Sequence, residues 1–270
     1  MLIIIYLFIL GLFIGSFLNV LADRLPQEKS ILGRSCCDYC HRNLCWYDLI
    51  PVVSFLLLHG RCRRCKKPVS LFYPTIELTT GLAFAFIGLY FLYQDTGLAY
   101  ILVPNVEPTK WYKLIALSGI ISVLIVIFFA DIKYQVIPDS MQLSLAFFIL
   151  IFHQINTTSL SELGSYLLAA IYTATPIFIL YSITRGKGIG FGDVKLAANI
   201  GFFLGAVPGL IAIYFSFIAG GAVGLALLIL KKVKLKSQIA FGPFLVVAML
   251  VVFFAKYQVL NLFKSLGLLP

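Results

Sequence analysis

The sequence of 270 residues is poor in charge: Asp, Glu, Lys and Arg make up 12% of it, where a soluble domain carries about a quarter. Hydrophobic residues make up 61%. No soluble core absorbs that much apolar surface, so most of the chain must face lipid or other apolar helices. Histidine is scarce, with three residues and no His-Glu-x-x-His, which excludes a zinc metalloprotease of that design. No glycine-rich stretch ends in Gly-Lys-[Ser/Thr] after a strand, which excludes a phosphate-binding loop. Strand patterns are weak, and internal repeats and low-complexity tracts are absent. The formal charge is +10, but no interleaved aromatic and basic platform accompanies it, so nucleic acid is not an expected partner. No Lys or Arg precedes the apolar run 1–20, whereas Arg24, Lys29 and Arg34 follow it. The expectation is a first span with its amino end outside, not a cleaved secretory leader.

What is present is a series of apolar runs of about the 20 residues needed to cross a bilayer. Eight candidates lie near 2–21, 76–93, 112–130, 141–156, 163–184, 194–207, 208–230 and 241–263. The sixth and seventh run together around Gly205 to Gly209. The expected fold class is an all-α polytopic membrane protein of about eight transmembrane helices. Its parts are a first transmembrane helix (1–22), a small insertion (23–75) and a transmembrane core (76–270). The insertion holds all six cysteines and nine basic residues. Alternating the spans outward from it puts Lys133, then Arg185, Lys187 and Lys195, then Lys231, Lys232, Lys234 and Lys236 on the same side as those nine. Lys110, Lys113, Lys256 and Lys264 fall opposite. Basic residues collect in cytoplasmic loops, so 23–75 is expected in the cytoplasm.

Two cysteine pairs in the insertion have metal-knuckle spacing, Cys37-Asp-Tyr-Cys40 and Cys62-Arg-Arg-Cys65, with 21 residues between them. Two residues between thiols let one tight turn aim both sulfurs at one ion, and two such turns complete a tetrahedral site. A reducing cytosol argues against disulfides. Structural Zn2+ held by Cys37, Cys40, Cys62 and Cys65 is the expectation, since about fifty residues cannot bury much core without a staple. Cys36 and Cys45 are left over.

Four acids fall near the cytoplasmic ends of spans: Glu77, Asp131, Asp139 and Asp193. Ionisable groups bordering hydrocarbon are costly and mark function. Asp139 follows Ile137-Pro138 and reads as a helix cap. Asp131 has no such local explanation beyond pairing with Lys133 or a nearby arginine. Asp193 closes Gly186-Lys187-Gly188-Ile189-Gly190-Phe191-Gly192, whose glycines leave the backbone uncovered and permissive. Such a loop can approach a neighbouring helix or a bound peptide. The blander reading is a hinge with a cap at Asp193. Two carboxylates in one partly dry site suit acid–base amide hydrolysis: one takes a proton from water, the other gives one to the scissile carbonyl.

These segments together resemble the bacterial type IV prepilin peptidases, part of the wider Gly-x-Gly-Asp group of membrane aspartyl proteases that includes presenilin. The resemblance rests on Gly15-Ser16-Phe17-Leu18-Asn19-Val20 with Arg24-Leu25-Pro26, the paired cysteines, and Trp46-Tyr47-Asp48-Leu49-Ile50-Pro51. It continues through Tyr73-Pro74-Thr75-Ile76-Glu77-Leu78, Asp131 with Ile137-Pro138-Asp139, Gly188 to Lys195, and Phe241-Gly242-Pro243-Phe244. It implies that Asp131 and Asp193 are the catalytic pair, and that 76–270 is the aspartyl peptidase core. It further implies a prepilin or pseudopilin substrate, with a basic leader before an apolar helix, cut at the cytoplasmic face of the bacterial inner membrane. The new amino terminus is then N-methylated with S-adenosylmethionine. Asp38 stands where the family commonly has proline after the first knuckle cysteine, and Cys36 is extra. No methyl-donor residues can be assigned from sequence. Glu77, Gly190, Gly192 and Asp139 are candidates for positioning substrate, and for Glu77 holding a loop or pairing with an arginine stay open. The alternatives are a presenilin-like protease of other helical substrates, which the cysteine insertion disfavours, and a transporter, which would place its acids near the midplane.

Overall fold

A computed structural model of the chain describes residues 2–94, 108–156, 159–232 and 239–265. Among them there is no strand, only isolated bridges at Cys36–Asn43 and Arg61–Pro68. The helices in chain order are α1 (Leu2–Arg24), α2 (Val53–Leu57), α3 (Phe72–Gln94), α4 (Pro108–Tyr134), α5 (Asp139–Asn156), α6 (Leu160–Thr184), α7 (Phe191–Leu204), α8 (Ala206–Ile229), α9 (Gly242–Phe254) and α10 (Lys256–Ser265). The protein is an all-α, multi-pass membrane protein. Two compact units divide it, Met1–Phe129 and Ala130–Pro270. Of the basic residues used to orient the spans, Lys234 and Lys236 lie outside the described residues.

All eight apolar segments are helical, but five helices (α1, α3, α4, α6 and α8) are both long and apolar enough to cross a membrane. The sixth candidate becomes α7, 14 residues long, about 21 Å of helix against a hydrocarbon core of about 30 Å. It ends at Gly205, whose φ of +88° breaks the apolar run and starts α8. The eighth candidate also splits. The apolar α9 stops at Ala255, and α10 carries Lys256, Gln258 and Asn261. Hydropathy alone does not register a break made by one residue's backbone.

In the first unit α1 lies against α3. Gly11 and Gly15, spaced as Gly-x-x-x-Gly, let the backbones touch: a Cβ on Gly15 would sit 2.7 Å from the Glu77 Cα, and one on Gly11 2.8 Å from the Gly81 Cα. Small residues at this spacing are what membrane helices use to pack closely. Toward its end α1 is tied to the start of α3 by Asn19 Nδ2, which donates to the Tyr73 carbonyl at 3.1 Å. Arg24 closes α1, with Pro26 in the following turn, and its guanidinium donates to the carbonyls of Ser30, Ile31, Leu32 and Arg34.

In the second unit α6, α7 and α8 converge on Thr173. Its hydroxyl donates to the Ala197 carbonyl at 2.9 Å. A Cβ on Gly201 would run into Thr173 and the Ala169 backbone, and one on Gly209 would lie 2.7 Å from the Thr173 methyl. This packing fixes α7, the helix that carries Asp193.

Candidate active site

Asp131 sits in the last turn of α4, where the chain reverses through Gln135 in the left-handed region (φ +53°) before Ile137-Pro138 starts α5. Asp193 sits in the first turn of α7. Both are buried, 5% and 8% exposed. Each carboxylate accepts a backbone N–H: Asp131 Oδ2 from Gly242 at 2.9 Å, and Asp193 Oδ2 from Gly190 at 3.0 Å. The two are close enough that Asp131 acts electrostatically on Asp193. The pair singled out from sequence is thus brought together within one compact unit.

Ile137 is the wedge of this site. A Cβ on Gly192 would lie 3.2 Å from the Ile137 Cβ. One on Gly242 would lie 3.1 Å from the Ile137 Cδ1 and 2.7 Å from Asp131 Oδ2. Glycine at both positions answers to close approach. In the glycine loop the left-handed region is used by Gly186 (φ +74°), while Gly190 is extended at φ −77°. The permissive-backbone expectation therefore holds at the start of the loop, and close approach is what governs its end.

Two amide side chains complete the site. Gln142 Nε2 donates to the Gly192 carbonyl at 3.0 Å, and Asn199 Nδ2 donates to Gln142 Oε1 at 2.8 Å. Both residues are buried. The sequence analysis passed over them because it looked for charge. An amide inside an apolar run is the same signal in a weaker form, since a buried polar group must find a partner. Asp139 is different. Its side chain is 71% exposed and accepts a 2.6 Å ion pair from Lys195, while the Pro138 carbonyl receives the amides of Met141 and Gln142 at the start of α5.

In the first unit Glu77 is 9% exposed, and its Oε2 accepts the Val52 amide at 2.7 Å. Val52 has φ +59°, a region a β-branched residue rarely enters, costing about 1–3 kcal/mol. Of the roles left open for Glu77, holding the loop is the one the geometry displays. Arg63 pairs instead with Asp48, at 2.8 Å.

The cysteines Cys37, Cys40, Cys62 and Cys65 form one cluster with all four Sγ within 4.8 Å of one another. The two knuckles are built alike. Cys37 N–H donates to the Arg42 carbonyl and Cys62 N–H to that of Lys67, while the amides of His41 and Lys66 return to Cys37 and Cys62. The residue after each second cysteine turns left-handed, His41 at φ +52° and Lys66 at φ +58°. Asp38 in place of proline leaves this turn intact and accepts from the Tyr73 hydroxyl at 3.2 Å. Hydrogen bonds from the Cys65 and Arg64 amides bring the Cys62 thiol down to about 7, while burial pushes Cys37 up to about 11. Such a donor set fits a metal ion. Cys36 is exposed, and Cys45 heads the turn Trp46–Leu49, its amide directed at Asp48.

Comparison with known proteins agrees with this arrangement. Residues 9–91 match the bacterial peptidase A24 N-terminal domain, and residues 118–225 the type IV leader peptidase family. The prepilin leader peptidase/N-methyltransferase of Bacillus subtilis is 33% identical over 238 residues, covering 88% of each chain. That of Aeromonas hydrophila is 30% identical over 272 residues, covering 89% of this chain and 87% of its own. That of Stutzerimonas stutzeri is 29% identical over 266 residues, covering 89% and 86%. No solved structure matches the chain. The first family match contains Glu77 and the four-cysteine cluster, and the second contains Asp131 and Asp193. The chain is a member of the type IV leader peptidase family.

Proposed function

We propose that the protein removes the leader from prepilins or pseudopilins with Asp131 and Asp193 as its catalytic pair, and N-methylates the amine that cleavage exposes. The observation that carries the peptidase reading is the pair itself: two buried, interacting carboxylates, each fixed by a backbone amide at the end of its helix. The ionised member takes a proton from a water, which attacks the scissile carbonyl while the protonated member donates to the carbonyl oxygen. The proton taken from water then goes to the leaving amine. Gln142 and Asn199 position the Gly192 carbonyl, and hence the turn bearing Asp193. Gly190 and Gly192 keep the backbone beside Asp193 clear of side chains for the substrate. Asp139 fastens α5 to α7 through Lys195, outside the proton transfer.

The basic residues beside both aspartates in sequence, Lys133, Arg185, Lys187 and Lys195, support a cytoplasmic position for the pair at the inner membrane. The four thiols support Zn2+. Tetrahedral Zn–S bonds of about 2.3 Å separate sulfurs by roughly 3.8 Å, and Cys37 Sγ and Cys65 Sγ lie 3.8 Å apart. Four thiolates leave no open position, so the metal staples the residues 36–69. The insertion 23–75 is then a metal-stapled module between the first helix and the peptidase core. Methylation requires a donor, S-adenosylmethionine.

The test is cleavage of a prepilin by the reconstituted protein. Asp131→Asn and Asp193→Asn should each abolish it, and near-wild-type cleavage by either variant refutes the pair. The mass of the processed amino terminus, with and without S-adenosylmethionine, reads the second activity. A product left unmethylated in the presence of the donor removes it.

A further inference from the structure

The first unit contains a cavity of about 640 Å³ that the peptidase chemistry does not use. Small-molecule sites run to roughly 300–1,000 Å³. Its wall includes Ser16, Asn19 and Asp23 of α1, which the spacing i, i+3, i+7 puts on one helix face. Across from them stand Tyr73 and Glu77 of α3. Among the described residues one buried side-chain oxygen or nitrogen lacks a hydrogen-bond partner, and it is Asn19 Oδ1, in this wall. Asn19 is 5% exposed. Its Nδ2 is committed to the Tyr73 carbonyl, which fixes the amide plane and leaves the oxygen as an acceptor without a donor. A buried acceptor in that condition is costly, and a ligand N–H relieves it.

From this cavity and its orphaned oxygen we infer that it is the binding site for the methyl donor, S-adenosylmethionine, with Asn19 Oδ1 accepting one of the donor's N–H groups. The inference rests on the methyl-transfer half of the proposed function. The lining suits a ligand that is both zwitterion and sulfonium. Asp23 and Glu77 supply negative charge for an ammonium and a sulfonium. Arg61, also in the wall, supplies a cation for a carboxylate. Phe17 and Tyr73 supply apolar faces for a base. When the donor is bound, the neutral amine of the cut pilin attacks the methyl carbon, the carbon–sulfur pair stays on sulfur to leave S-adenosylhomocysteine, and the methylated ammonium sheds its proton to water.

The test is direct binding: equilibrium dialysis of tritiated S-adenosylmethionine against the purified full chain in detergent. Asn19→Ala should weaken binding tenfold or more. That variant also removes the bond to Tyr73, so a second one fills the space without touching it. Ser54→Phe projects a ring into the cavity from α2 and should weaken binding at least as much. Thermal unfolding and prepilin cleavage are read in parallel to show that the chain is folded. Wild-type affinity in a folded Ser54→Phe variant overturns the assignment and leaves the methyl-transfer reading standing. A wild-type chain that neither binds the donor nor methylates overturns both. A raised KM for prepilin in these variants, with donor binding unchanged, would make the cavity a seat for the leader peptide and overturn the assignment as well.

Discussion

Replacing Gly242 by alanine tests the peptidase site at its most constrained contact. The new Cβ would stand 2.7 Å from Asp131 Oδ2 and 3.1 Å from the Ile137 Cδ1. The oxygen it meets is the one that accepts the Gly242 amide at 2.9 Å, so the carboxylate cannot retreat without giving up that bond. The glycine has little room to yield, because it opens α9 with Pro243 next in line. Asp131 is therefore displaced. A hydrogen bond to a charged group contributes about 1.5–3 kcal/mol, and each 1.36 kcal/mol in a barrier is about tenfold in rate, so cleavage should fall by roughly 10- to 150-fold. Overpacking by one methyl costs about 1–3 kcal/mol of stability. Initial rates of prepilin cleavage are measured beside thermal unfolding in the same detergent. Gly221→Ala serves as the control, since a Cβ there meets nothing within 4 Å, and it should cleave at the wild-type rate. A folded Gly242→Ala variant within about threefold of the wild-type rate would refute the claim that this glycine sets the position of Asp131.

Gln142→Leu leaves the Gly192 carbonyl and the Asn199 amide without their partner. At about 1–3 kcal/mol it should lower kcat tenfold or more with KM little changed. Gln142→Glu, which keeps the acceptor for Asn199 but offers Gly192 no donor as a carboxylate, should stay impaired, and a matching rise in KM would argue against a positioning role. Chelating the metal, or replacing Cys62 by serine, should open the residues 36–69 to trypsin at Arg42, Arg61, Arg63 and Arg64 while α1 and α3 stay protected; an unchanged digestion pattern would count against a metal staple. Asp139→Asn breaks an ion pair whose carboxylate side chain is 71% exposed. Such pairs contribute about 0–1 kcal/mol, so cleavage should stay within a few-fold of wild type, and a loss as deep as that of Asp131→Asn would move Asp139 into the proton transfer.

The helical segments, the four thiols and the choice of Asp131 and Asp193 were legible in the sequence because each is a local signal. An apolar run, a Cys-x-x-Cys and an acid beside hydrocarbon all carry their meaning within a few residues. What was not legible depends on partners distant in the chain. Gly242 lies 111 residues from Asp131, and Gln142 lies 50 from Gly192. Nothing near Gly242 says that its amide meets a carboxylate, or that Ile137 fills the place of its missing side chain. Helix lengths failed for a related reason. Gly205 ends α7 through its own dihedral angles, and the apolar residues on either side give no warning.

Glu77 shows how a polar residue can be correctly singled out and still be misread in kind. Its place at the membrane border marked it as functional, but its measured partner is the amide of Val52, a residue in a backbone conformation that only an external hold sustains. The same carboxylate lines the cavity that contains the orphaned Asn19 oxygen. One acid thus fixes a strained turn and presents charge to an enclosed space, while the two aspartates of the other unit are fixed by glycine amides and left to exchange protons. The physical distinction lies in the donor each acid holds. A carboxylate that receives a strained amide is part of the scaffold. One whose only backbone donor comes from a glycine placed for close approach is free to do chemistry on its other oxygen.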